Sequence, residues 1–313
     1  MSSPQTIPHT DLTVPSLCLG TNVFGWSITE QADANRLLDG ALERGLSFID
    51  TADMYVQWQP GNQGGESETM IGSWLRTRGR RDDLVLATKV GKMTARQGLH
   101  PDTIRAALED SLRRLGTDYV DLYYAHRDDD TVPLSDVLGT FHELIQEGLI
   151  RAVGASNFTG ARLHEAADIA SREGFTGFVA VQNEYNLVTR SDYESDVVPT
   201  MRELGLAGFP FYALASGFLT GKYRAEAHPA SVRASRVQAA YETPENLHTV
   251  DRLLEVALRH HAPASAVALE WLRHQDGVTA PIASARTLEQ LDELLHPVTL
   301  TPDEVAFLSG SSV

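Results

Sequence analysis

Short runs that are apolar on both parities alternate along this chain with longer stretches that are apolar on one face only. The runs lie at residues 17–19, 47–50, 84–89, 119–124, 151–155, 179–182, 207–214 and 278–283, and are rich in Val, Ile, Leu, Phe and Tyr. Strands covered on both faces, as in a parallel sheet, carry that signature. Between them the apolar spacing changes to that of a helix. Residues 30–44 place Ala34, Leu37, Leu38, Ala41 and Leu42 on one face, and Gly45 follows as a stop. The stretch 103–115 repeats the device, with Pro101 near its start and Gly116 after its end. Residues 135–146 end at Gly148, and 161–172 end at Gly174.

Strand–helix pairs repeated about eight times predict a parallel (β/α)8 barrel. An open, doubly wound sheet is the rival, although no GxGxxG follows a strand. Two segments break the rhythm. Residues 57–65 are polar and Gly-rich, and residues 214–246 have no clear strand pattern, so both read as long binding loops or lids. With no linker in 313 residues, the expectation is one domain over 1–313, with an N-terminal extension and long loops on an α/β barrel.

Composition narrows the function. Basic residues number 26 against 42 acidic, for a net charge of −16, which argues against nucleic acid or an anionic membrane as the main partner. Cys18 is the only cysteine, so neither an internal disulfide nor a Cys-based metal site is expected. The first ten residues are polar with two prolines, unlike a signal peptide, and no apolar run approaches 18 residues. The expected setting is the cytoplasm.

The chemistry sits where strands end. The strand 47–50 closes on Asp50 and leads to Tyr55, the strand 84–88 runs into Lys89, and a third strand delivers His126. A buried carboxylate or lysine needs a partner, and adjacent barrel strands bring Asp50 and Lys89 together at the C-terminal rim. A nearby ammonium is expected to lower the pKa of the Tyr55 phenol towards a range useful for proton donation. His126 is then placed to hydrogen-bond a substrate oxygen. Taken singly, Asp50 and Lys89 read equally well as a structural ion pair, and spacing alone leaves that reading open.

Eight ordered blocks add to this. They are FIDTADMY (48–55), GESE (65–68), LATKV (86–90), DLYYAH (121–126), GASNF (154–158), VQNEYN (181–186), LASGFLTGKY (214–223) and ALEWL (268–272). Together they resemble the aldo-keto reductase family, in particular the subgroup that contains potassium-channel β subunits and many bacterial oxidoreductases. The resemblance implies a (β/α)8 barrel, NADP(H) as cofactor, a small carbonyl substrate, and a tetrad of Asp50, Tyr55, Lys89 and His126 with Tyr55 as acid/base. It places Gly20, Thr21 and Asn22 near the nicotinamide ribose, Ser156, Asn157 and Gln182 on the carboxamide, and Phe211 against the ring. The loop 214–222, with Leu214, Ser216, Gly217, Leu219, Gly221 and Lys222, is expected to cradle the pyrophosphate. Ser284, Arg286 and Gln290 are expected to open the last barrel helix and take the 2′-phosphate, with Arg233 adding a second charge.

The chain departs from the subgroup where Phe211 stands for Tyr or Trp, where Tyr212-Ala213 stands for Ser-Pro, and where Leu294 stands for an adenine-contacting Asn. The expected substrate pocket comprises Phe24, Trp26, Met54, Tyr55, Trp58 and His126, with no Arg or Lys placed to demand a carboxylate or phosphate; Arg127 is the exception to watch. No metal is expected. Other functions compatible with parts of the pattern are a barrel aldolase using Lys89 as Schiff base, an NADPH-holding sensor module, and a zinc hydrolase, the last without HxxxH or HExxH spacing.

Overall fold

A computed structural model describes residues 3–222 and 232–310, without the side chains of 232–236. Eight strands form one parallel sheet: β1 Cys18–Gly20, β2 Phe48–Asp50, β3 Val85–Val90, β4 Val120–Ala125, β5 Ile150–Ser156, β6 Ala180–Gln182, β7 Ala207–Gly208 and β8 Ile282–Ala283. Each pairs with its neighbours in chain order, and β8 pairs with β1. Backbone bonds then close the ring. Thr279 N donates to Gly208 O at 2.8 Å and Ile282 N to Pro210 O at 2.8 Å, joining β8 to β7. The approach requires glycine, because a Cβ at Gly208 would lie 1.7 Å from the Gly277 carbonyl.

The helices α1 Gln31–Glu43, α2 Glu66–Arg78, α3 Pro101–Leu115, α4 Leu134–Gln146, α5 Gly160–Glu173 and α6 Val198–Leu204 follow the first six strands. Beyond β7 come α7 Val232–Tyr241, α8 Pro244–Arg259 and α9 Ala264–Arg273, then α10 Leu288–Leu294 after β8 and α11 Pro302–Leu308. Neighbouring helices touch around the barrel, and α10 returns to α1. The expected stops hold: Gly116 and Gly174 adopt left-handed φ values of 65° and 71° and end α3 and α5.

Three expected boundaries differ. The run 278–283 is a strand only at Ile282–Ala283. The run 207–214 is a regular strand only at Ala207–Gly208; Phe209 N and Phe211 N still donate to Val181 O and Asn183 O at 2.8 and 3.1 Å, and the run ends where Tyr212 turns at φ 51°. The segment 214–246 is partly helical, with a 3-10 turn over Ala215–Thr220 followed by α7. The sequence of α7 is rich in Ala, Arg and Gln, which favour helix but leave no apolar stripe to betray it.

Alternation at period two divides the core. Cys18, Phe48, Val85, Ala87, Leu122, Tyr124 and Ala180 point into the barrel and fill it, while Leu19, Ile49, Leu86, Tyr123 and Val181 pack outward under the helices. An antiparallel hairpin, Gln5–Thr6 with Thr13–Val14, adds Ile7, Leu12 and Val14 to the interior cluster. The next inward step along four strands reaches Asp50 after Phe48, Lys89 after Ala87, His126 after Tyr124 and Gln182 after Ala180. The same alternation that fills the barrel therefore sets four polar side chains around its C-terminal mouth.

No helix among the described residues is long and apolar enough to cross a membrane.

Candidate active site

Asp50 and Lys89 lie fully buried at the strand ends. The Lys89 ammonium donates to Asp50 Oδ2 at 2.7 Å, to the Thr51 carbonyl at 2.7 Å and to the Tyr55 hydroxyl at 2.8 Å. All three N–H bonds are thereby used. The Tyr55 hydroxyl donates to Asp50 Oδ2 at 3.1 Å, and Gln182 Nε2 donates to Asp50 Oδ1 at 2.9 Å. The rings of Tyr55 and His126 meet edge to face with centroids 6.3 Å apart.

The phenol does not behave as the sequence led us to expect. Burial, and then the Asp50 carboxylate, hold its pKa well above the ordinary value of 10. The physical reason is that Asp50 sits beside Lys89 and offsets its charge, leaving burial unopposed. Tyr55 therefore keeps its proton at rest and holds it next to an ammonium that stabilises the anion once the proton leaves. Burial, followed by the charges of Lys89 and Lys92, pushes the His126 imidazole well below 6.5. It is neutral at pH 7 and offers one ring N–H.

A buried network behind the site explains the GESE block. Glu66 accepts from the Gln63 and Gly64 amides at 2.7 and 2.9 Å and shapes the loop. Ser67 bonds both Thr21 and Thr51, and Glu68 joins Thr88 to Arg114. Thr21 also donates to the Asp50 carbonyl at 2.9 Å. These contacts fix the backbone that carries Asp50 and Tyr55.

Asp53 stands apart. It is buried, neither carboxyl oxygen has a hydrogen-bond partner among the described residues, and burial, with Glu68 next, raises its pKa to about 8. The fold accommodates the protonated acid. The unfolded chain holds it at the ordinary 3.8. Stability from this group is complete below that value and is lost as pH rises towards 8. Each unit is worth about 1.4 kcal/mol. Asp53→Asn is thus expected to be more stable than the wild type at pH 8, with the advantage shrinking to about 1 kcal/mol at pH 4.5, measured by urea unfolding; equal stability of the two proteins at both pH values would refute the assignment.

A cleft of about 840 Å³ opens over the tetrad, within the range of small-molecule sites. Of the residues expected from the sequence, Gly20, Asn22, Trp26, Met54, Tyr55, Trp58, His126, Asn157, Gln182 and Phe211 line it. So do Leu214, Ser216, Gly217, Lys222, Ser284, Arg286 and Gln290. Seven others do not face it. Phe24 is fully buried in the outer core, Leu219 anchors its loop from beneath, and Thr21 belongs to the network just described. Ser156 is buried and accepts from Asn157 Nδ2 at 3.0 Å, Gly221 closes the 3-10 turn at φ 79°, and Asp50 and Lys89 lie under Tyr55. The side chain of Arg233 lies outside the described residues.

Other details refine the expectations. Asn157, at φ 58°, donates to the His126 carbonyl at 2.8 Å, and Thr159 caps α5. Ser284 donates to Asn22 Oδ1 at 2.9 Å, and α10 is capped by Thr287, so Ser284 and Arg286 precede the helix instead of opening it. The Gln182 amide, expected on the cofactor, spends a donor on Asp50. Residues 215–217 have φ of 46°, 56° and 94°, a left-handed turn of the backbone at the cleft wall. Lys92, Tyr212 and Glu293 also line the cleft and were not expected. The pattern before Lys92 ends as a strand, and only the hairpin Lys92–Met93 with Arg96–Gln97 turns its side chain inward.

Residues 16–311 match the model of the family described as the aldo/keto reductase family. The chain is 34% identical to "Uncharacterized oxidoreductase YrpG" of Bacillus subtilis, over 95% of this chain and 91% of that one. It is 34% identical to "Protein tas" of Escherichia coli, over 96% and 94%. It is 33% identical to "Norsolorinic acid reductase stcV" of Emericella nidulans, over 91% and 74%.

Proposed function

The chain belongs to the aldo/keto reductase family, oxidoreductases of carbonyl substrates, and from that premise we propose that it reduces an aldehyde or ketone to the alcohol with NADPH, Tyr55 giving the proton. The observation that carries this reading is the Lys89 ammonium, its three N–H bonds taken by Asp50, Thr51 and Tyr55 beneath the cleft. A Schiff-base lysine needs its nitrogen free to attack, and this one is taken up by three acceptors.

A nicotinamide held beside Phe211 would supply the hydride for the carbonyl carbon. The negative charge then gathers on the carbonyl oxygen. A ring N–H of neutral His126 and the Tyr55 hydroxyl are the donors available to it at the cleft wall. Tyr55 passes its proton to that oxygen, and Lys89, at 2.8 Å, steadies the phenolate left behind. A proton from solvent then restores the Tyr55 phenol.

The cleft suits a dinucleotide on three observations. Phe211 offers a ring beside the tetrad, the left-handed backbone at 215–217 lies along the wall, and the exposed guanidinium of Arg286 has no partner among the described residues. His126 Nδ1 is buried without a partner as well. The relative named as a norsolorinic acid reductase supports a reductive direction.

Titration of the protein with NADPH and NADH by fluorescence quenching, followed by NADPH oxidation against a panel of aldehydes and ketones, tests the reading. Tight binding without turnover would favour a sensor module instead, and no binding would end the cofactor argument. Arg286→Ala is expected to raise the Kd for NADPH about tenfold or more, the worth of a charge-assisted bond, and to leave NADH within a factor of two. Equal weakening of both would remove Arg286 from the 2′-phosphate.

A further inference from the structure

We infer that the carbonyl compound handled here carries an anionic group, a carboxylate in the simplest case, which pairs with Lys92. The inference rests on the reductase reading above and specifies its substrate class.

Lys92 opens the hairpin that follows β3, three residues beyond Lys89. Its side chain is half-buried and faces the cleft beside Met54, Tyr55, Trp58 and His126, at the end where the chemistry takes place. Gln57 holds it there. The Gln57 amide donates to the Lys92 carbonyl at 3.2 Å and accepts from Thr94 N at 2.9 Å, tying the hairpin to the loop that bears Trp58.

Among the described residues the Lys92 ammonium has neither an ion pair nor a hydrogen bond. The charges that act on it are cations. Burial first, then Lys89 and Arg127, bring its pKa down to about 8, and no carboxylate among the described residues opposes them. A partly desolvated ammonium without a counter-ion is costly, and an anion in the cleft relieves that cost. The other cations are committed elsewhere or remote. Lys89 has used its donors on Asp50, Thr51 and Tyr55, while Lys222 and Arg286 line the cleft with the loop 214–222 and the start of α10. Arg127 is exposed and adds to the positive potential beside His126. The overall charge of −16 makes this local excess of cations harder to ascribe to composition.

The probe pair is 4-carboxybenzaldehyde and its methyl ester, which differ chiefly in charge. The wild type is expected to favour the acid by about tenfold in kcat/KM, mostly through KM. In Lys92→Met the ratio should fall towards one, and in Lys92→Arg it should persist. In the wild type the preference should also fade as pH rises through 8 to 9.5, whereas the arginine variant should keep it. Turnover of both aldehydes without preference for the acid, or a preference that survives Lys92→Met, would overturn the inference alone. If the wild type oxidised NADPH with neither aldehyde, the reductase reading would fail and this inference with it.

Discussion

Tyr55→Phe is expected to lower NADPH-dependent carbonyl reduction by roughly 10²–10⁴-fold, the contribution of a positioned general acid. The change removes one oxygen. Lys89 keeps Asp50 and Thr51 as acceptors, and Asp50 keeps Lys89 and Gln182 as donors, so the site retains its shape. NADPH affinity is expected to stay within a few-fold, and the loss should appear in kcat. Steady-state kinetics with quenching titrations on the same sample separates the two. Because burial and Asp50 raise the phenol's pKa, the wild-type reduction rate is also expected to show no fall from phenol ionisation between pH 7 and 9. A Phe variant that reduces carbonyls at the wild-type rate would take the donor's role away from Tyr55.

Lys89→Met is expected to damage both stability and turnover. It leaves Asp50, fully buried, without its counter-ion, and breaking a buried pair on one side costs about 3–5 kcal/mol. Turnover should fall as well, since the phenolate loses its ammonium. The double variant Asp50→Asn/Lys89→Met separates these effects. Removing both charges should restore much of the stability, while turnover stays low. Urea unfolding and kcat on the single and double variants decide the matter. Recovery of turnover along with stability would reduce the pair to a structural role.

Much of the barrel was legible because it depends on local and periodic features. Short, mostly apolar runs marked six of the eight strands to within a residue at both ends and the other two at one end, and Gly116 and Gly174 marked the ends of helices by their left-handed conformation. The tetrad was legible for the same reason, since Asp50, Lys89 and His126 continue the inward parity of their strands. The weak places were those without periodicity. The helix α7 lacks an apolar stripe, and the run 207–214 looks like one strand although it is regular only over Ala207–Gly208 and turns at Tyr212.

The site's second layer was not legible. Ser67 meets Thr21 and Thr51 from a different turn of chain, Gln182 reaches Asp50 across 132 residues, and Lys92 enters the cleft by way of a two-residue hairpin. By itself the sequence determined the alternation of strand and helix, the inward parity of the polar strand ends and the family blocks, because each is written within a few residues. Only the tertiary structure decided which of those polar groups are saturated and which stand alone. That depends on burial and on partners distant in the chain: Asp50 offsets Lys89 and burial keeps the Tyr55 proton in place, while Lys92 meets no carboxylate among the described residues.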